Sequence, residues 1–132
     1  CRSAIIRQLH KARKHIDICV FTISDNQIRD EISSMHQLGK RIRIISDNDK
    51  SADMGSDIDF LRRLGIPLIL DNTEVHMHHK FALFDQERLL SGSYNWTRSA
   101  AERNYENLVL STEANLVRSF QQEFERLWKK LH

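Results

Sequence analysis

Three short segments rich in Ile constrain this chain first and read as strands: residues 16–23 (IDICVFTI), 41–46 (RIRIIS) and 66–70 (IPLIL). The near-continuous apolarity of 16–23 suits a strand buried on both faces, which occurs where helices cover a sheet. The stretches between them repeat with a helical period. Residues 3–14 place Ile5, Ile6, Leu9 and Ala12 on one stripe behind a capping Ser3. Ser24 or Asp25 can cap a second helix bearing Ile28, Ile32, Met35 and Leu38, with Gly39 as its stop. Ile58, Leu61 and Leu64 predict a short helix over 56–64. Pro67 has no N–H to give a ladder, so its strand belongs at an edge or begins there.

The second half continues the pattern. Residues 75–85 and 88–93 read as a hairpin turning at Gln86–Glu87, followed by a helix from Asn95 to about Arg103 and a strand over 106–111. Leu116, Phe120, Phe124, Leu127, Trp128 and Leu131 fall on one face of a last helix over 113–131. Strands separated by helices predict an α/β fold: a three-layer α/β/α sandwich with a mixed, mostly parallel sheet, the hairpin supplying the antiparallel part. With 132 residues the chain is read as one domain over 1–132, long enough for a proper core. One Pro and four Gly exclude collagen-like and low-complexity character. No apolar run approaches the roughly 20 residues of a membrane-spanning helix, so no transmembrane segment is expected. The first residue is Cys1, so the chain is read as a fragment or a processed product lacking an N-terminal region, which leaves its compartment open. Cys19, inside an apolar strand, is expected to be a buried free thiol.

The net charge is +2, from 20 Lys and Arg against 18 Asp and Glu, so composition alone does not announce a nucleic-acid binder. Thirteen of the 20 cations are Arg, the residue better suited to phosphate forks. Chemistry concentrates in residues 76–107. Strand alternation places His76, His78 and Lys80 on one face and His79, Phe81, Leu83 and Asp85 on the other. An imidazole beside an ammonium can serve as nucleophile or acid/base next to a holder of anionic oxygen. Gly92 admits a ligand close to the backbone, Ser93 can donate its hydroxyl, and Asn95 opens a helix whose first amides favour an anion. Together these pieces describe a phosphate cradle.

His78-x-Lys80-x4-Asp85, then six residues, then Gly92-Ser93-x-Asn95, with Glu106 further on, resembles the HKD signature of the phospholipase D superfamily. The segments MHHKFALFD, GSYNWT and ENLVLS are similar to its small single-motif branch, which holds the Zucchini-type mitochondrial endonucleases and the bacterial Nuc-type endonucleases. The resemblance implies a metal-independent phosphodiesterase without a cofactor. His78 would be the nucleophile in one copy and the general acid/base in another. Lys80 and Asn95 would bind phosphate oxygens with Ser93 assisting, and Glu106 would orient the imidazole. Asp85 is the third letter of the signature, but alternation points it away from His78 and Lys80, so it is read as structural. One motif per chain implies a C2 homodimer with a shared site. Single-stranded RNA or DNA is the leading substrate, cardiolipin or another phospholipid the alternative, and a non-catalytic nucleic-acid-binding module the third reading. A Zucchini-type protein would be mitochondrial, at the outer membrane; a Nuc-type one bacterial.

Other residues have blander readings. A zinc cluster of His76, His78 and His79 is set aside because only His76 and His78 share a face. Asp47, Asn48 and Asp49 lack the closing Glu of a calcium loop. His10, His15, His36 and His132 read as surface residues, Trp96 as core in preference to a base-stacking ring, and Arg88, Arg98 and Arg103 as either groove-lining or merely solvated.

Overall fold

The computed structural model describes residues 2–21, 23–47, 57–71, 80–92, 96 and 108–131. In chain order these form α1 (Arg2–Lys11), β1 (His15–Cys19), α2 (Asn26–Gln37), β2 (Arg41–Asp47), α3 (Ile58–Arg63), β3 (Leu68–Asp71), β4 (Phe81–Phe84), β5 (Arg88–Gly92), β6 (Leu108–Ser111) and α4 (Ala114–Leu131). The strands make one sheet in the order β3-β2-β1-β4-β5-β6.

Local chemistry explains the element ends. The Asp25 carboxylate accepts from the backbone N–H groups of Gln27 at 2.9 Å and Ile28 at 3.3 Å, capping α2. Gly39, at φ 87°, turns the chain out of that helix. Pro67 precedes β3, and β3 lies at an edge of the described sheet. Ser3 falls inside α1 and does not cap it. The strand expected over 16–23 runs as a regular ladder from His15 to Cys19. Beyond it Val20 N–H still donates to the Ile45 carbonyl at 3.0 Å, the Phe21 carbonyl accepts from Asp47 N–H at 3.1 Å, and Ile23 forms an isolated bridge with Trp96.

Two apolar layers sandwich the sheet. On one face Ile5 and Leu9 of α1, Ile28, Ile32 and Met35 of α2, and Ile58 and Leu61 of α3 close over Ile16, Ile18, Ile42, Ile44, Ala82 and Phe84. On the other, Val117 and Phe124 of α4 pack against Cys19, Ile45, Phe81, Leu83 and Leu89. The architecture is the α/β/α sandwich with a mixed sheet. Its expected weighting toward parallel pairs is corrected, however: β1–β2 and β2–β3 are parallel, while β1–β4, β4–β5 and β5–β6 are antiparallel. A helix between two strands implies a parallel crossover only if the chain returns to the end it left. β6 instead runs back along β5 from the end where β5 finishes.

Under α4 the second apolar layer carries a polar insert. Arg43 and Asp17 are register partners on β2 and β1, and the guanidinium forks onto the carboxylate at 2.9 and 3.0 Å. Gln121 donates to the same carboxylate at 2.9 Å, and Arg43 also reaches Glu125 of α4 at 2.5 Å. Arg43 lies 4.9 Å from the Phe124 ring centroid. A buried charge is tolerable when it is paired and hydrogen-bonded, and this one ties α4 to the sheet centre.

The joint between the parallel and antiparallel halves rests on Asp85. It follows β4 in a tight turn in which Asp85 and Gln86 have φ of 57° and 59°, the pattern of a type I′ hairpin. Strand alternation therefore stops at Phe84 and does not govern where Asp85 points. Its carboxylate accepts from the backbone N–H groups of Arg13 (2.9 Å), Lys14 (2.7 Å) and His15 (3.0 Å), and its own N–H donates to the His15 carbonyl at 2.7 Å. Burial pushes the carboxyl upward, but these three amides, with Arg88 nearby, outweigh it and hold Asp85 below the usual carboxylate range. A depressed folded value means stability that is present above the unfolded value of about 3.9 and lost as pH falls through the folded one. Asp85→Ala is expected to destabilise the fold by about 3 kcal/mol at neutral pH, less as the pH is lowered below about 4. Urea unfolding across that range checks it; an unchanged midpoint at neutral pH would remove the clamp from its role.

Candidate active site

β4 and β5 form a hairpin whose turn lies at one end of the sheet and whose open end lies at the other. Phe81 pairs with Cys19 on one side and Ser91 on the other, so Lys80, directly before Phe81, and Gly92, closing β5, come to the carboxyl ends of the parallel strands. Ligand sites of open α/β sheets occur at that end. Lys80 is half-buried. Gly92 has φ 155°, a backbone conformation that a side chain would strain. The cradle's other expected members, His78, Ser93, Asn95 and Glu106, lie outside the described residues, as do His76, His79, Arg98, Arg103 and His132.

Acidic groups that nothing local in the sequence brings together gather at the same end. Asp47 closes β2, Asp71 closes β3, the two are register partners, and both are buried. The signal for them was present, an Asp ending each of two apolar runs, but their meeting depends on parallel register. Asp25 caps α2 and receives Arg2 Nε at 2.6 Å. Asp57 receives Arg29 at 3.3 Å, yet burial leaves its carboxyl above the usual range. Cys19 ends β1 as a buried thiol that is not in a disulfide. Burial first, then Glu123 and Asp71, push its pKa far up, so it stays a protonated core residue without nucleophilic character.

Trp96 and His10 lie as expected, in the core and on the surface, while Arg88 and His36 do not. Arg88 does not line a groove around Lys80. It sits at the turn end of the hairpin, bonded to Gln8, 3.7 Å from Asp85 and over the Phe84 ring. Trp96 is 1% exposed within the first apolar layer, and its carbonyl accepts from Ser24 N–H at 3.0 Å, so its ring is unavailable to stack on a base. His36 is half-buried and not a plain surface residue, its Nε2 donating to the Leu64 carbonyl at 2.9 Å. His10 is exposed and pairs with Glu31 at 3.1 Å. Among the described residues no group of three or more His, Cys, Asp or Glu is arranged to hold a metal ion.

The chain belongs to the PLD-like domain family: the family described as "Cardiolipin synthase, PLD-like domain" matches residues 5–128. It is 48% identical over 126 residues to a mitochondrial cardiolipin hydrolase of Chlamydomonas reinhardtii, covering 96% of this chain and 56% of that protein. It is 39% identical over 130 residues to the human mitochondrial cardiolipin hydrolase, covering 98% of this chain and 52% of that one. The chain thus spans about half the length of these curated relatives. In fold it is similar to Nuc, a phospholipase D family member from Salmonella typhimurium. There the TM-score is 0.91 at 22% identity, covering 97% of this chain and 86% of that one. NucT from Helicobacter pylori gives 0.88 at 22% identity, covering 97% and 87%.

The backbone at Gly92 yields a direct test. Gly92→Ala is expected to destabilise the fold by about 1 to 3 kcal/mol, because alanine must adopt a conformation open essentially to glycine. Denaturant unfolding reads this; a midpoint equal to the parent's would show that the position carries no strain.

Proposed function

We propose that this chain forms a metal-independent phosphodiesterase of the phospholipase D type, cleaving single-stranded nucleic acid through a phosphohistidine at a site shared by two copies. The observation that carries the reading is the residue set His78-x-Lys80-x4-Asp85 and Gly92-Ser93-x-Asn95, with Lys80 and Gly92 at the carboxyl end of the sheet. His78 of one copy attacks phosphorus, and the P–N bond forms as the P–O bond to the leaving group breaks. His78 of the second copy gives its proton to the leaving oxygen. That imidazole, now neutral, takes a proton from water as the water attacks phosphorus and the P–N bond breaks. Lys80 and Asn95 hold the non-bridging oxygens, where charge grows in the transition state, and Ser93 donates to the same group. Glu106 accepts the other imidazole N–H and fixes the ring. Asp85 acts at a distance from the chemistry, by anchoring the hairpin that ends in Lys80.

A second substrate reading is favoured by the names of the curated relatives: hydrolysis of cardiolipin, at mitochondria. The two readings share every step above and differ in what the phosphodiester carries. Labelled single-stranded oligonucleotide, duplex and cardiolipin vesicles, each incubated with the protein in EDTA, separate them. Cleavage of the single strand without metal is expected, and cleavage of the vesicles alone would replace the nuclease reading. His78→Asn is expected to lower turnover by about 10^3-fold or more while leaving strand binding intact. Lys80→Ala should lower it about 10^2 to 10^3-fold. Retained turnover in His78→Asn would remove that residue from the mechanism, and binding without cleavage of any phosphodiester by the parent protein would favour a binding module.

A further inference from the structure

The end of the sheet opposite Lys80 has a different chemistry. There α1, α2 and α3 finish and β1 and β2 begin, and each junction brings exposed or half-buried cations: Lys14 before β1, Lys40 and Arg41 at the start of β2, Arg62 and Arg63 at the end of α3. The nearby carboxylates are engaged, Asp85 by backbone amides and Glu87 by Arg13 at 3.2 Å. Basic residues in a helix's last turn have an ordinary reason, the helix dipole. That reason does not extend to Arg41, which stands on a strand, is exposed, and has no ion pair among the described residues. Nor does it explain Leu38, 68% exposed in the same turn between α2 and β2.

Beside this turn opens a groove of about 500 Å³ walled by His15, Arg41, Pro67 and Trp128. Asp17 also borders it, but its carboxylate is already forked by Arg43. We propose that this end of the molecule docks on an anionic phospholipid surface, with Leu38 entering the interfacial layer and a headgroup phosphate seated between His15 and Arg41. An aliphatic side chain standing out among cations fits a lipid interface, where apolar contact and attraction to anionic headgroups add. A nucleic-acid strand would use aromatic faces instead. The ring in this groove, Trp128, is already stacked on Phe124 at 5.9 Å and approached by Arg43 at 5.3 Å. Docked this way, the Lys80 end faces away from the bilayer, roughly the length of a five-residue strand, about 17 Å, above the contact. The docking stands or falls by binding alone, whatever the Lys80 end cleaves.

Co-sedimentation of the whole chain with vesicles tests this. Phosphatidylcholine vesicles serve as the neutral surface, and phosphatidylcholine mixed with phosphatidylserine as the anionic one. Binding to the anionic vesicles alone is expected, weakening as salt is raised. Arg41→Gln is expected to lower the partition about fivefold, and Leu38→Asp to lower it at least as much. Arg41→Gln is at an exposed position and should leave the thermal transition unchanged, and Leu38→Asp, exposed at the C-terminus of α2, should lower it only slightly through the helix dipole, so both variants stay folded. Equal binding to both vesicle types, or undiminished binding by Leu38→Asp, would overturn the proposal. So would a single-stranded oligonucleotide that displaces the protein from anionic vesicles and loses affinity equally on Arg41→Gln, which would make this end a nucleic-acid surface.

Discussion

Asp85 joins two halves of the molecule that differ in kind. The segment from α1 to β3 builds parallel strands under helices, whereas β4, β5 and β6 are antiparallel. They meet along β1 and β4, four register pairs in length. A seam this short could slip, and a slip of one residue would turn every side chain of β4 to the wrong apolar layer. The three amides ahead of β1 that converge on one carboxylate fix the seam at its turn end. Phe81 on one face, with Ala82 and Phe84 on the other, fill the two cores only in that register. Lys80 is the next residue along, so its position at the open end of the hairpin follows from a clamp at the opposite end of the same strand.

Charge is distributed along the sheet with similar consequence. Buried Asp25, Asp47, Asp57 and Asp71 lie at the carboxyl ends of the parallel strands or the helix starts that follow them, while exposed Lys and Arg crowd the other end. The near-zero net charge conceals this separation. Between the ends, the Asp17–Arg43–Glu125 set holds α4 across the sheet. The desolvation of Asp17 is offset by the fork and by Gln121, so the polar insert orients the helix without leaving that carboxylate unpaired.

Features set by neighbours in sequence were legible. The second helix was written in Asp25, in Ile28, Ile32 and Met35 at helical spacing, and in Gly39, and the edge position of β3 in Pro67. Features set by distant partners were not. Nothing local says that Arg88 will bond Gln8, 80 positions away, or that Asp85 will collect amides some 70 positions earlier. Alternation carried through Asp85 missed the left-handed turn that places it, and a helix read between β5 and β6 gave no sign of their antiparallel pairing. At the candidate site, residue types and spacing could be read directly and brought the chemistry with them. The meeting of Asp47 with Asp71 could not, since it exists only through the register of β2 and β3.

The proposed chemistry turns on one bond, between phosphorus and the imidazole of residue 78. Rapid alkaline quenching during turnover, which preserves an acid-labile phosphoramidate, followed by peptide mass spectrometry, looks for that bond directly. A substrate-derived phosphoryl adduct on His78, lost on brief acid treatment, is the predicted result. An adduct on any other residue, or steady turnover with none formed, would contradict it.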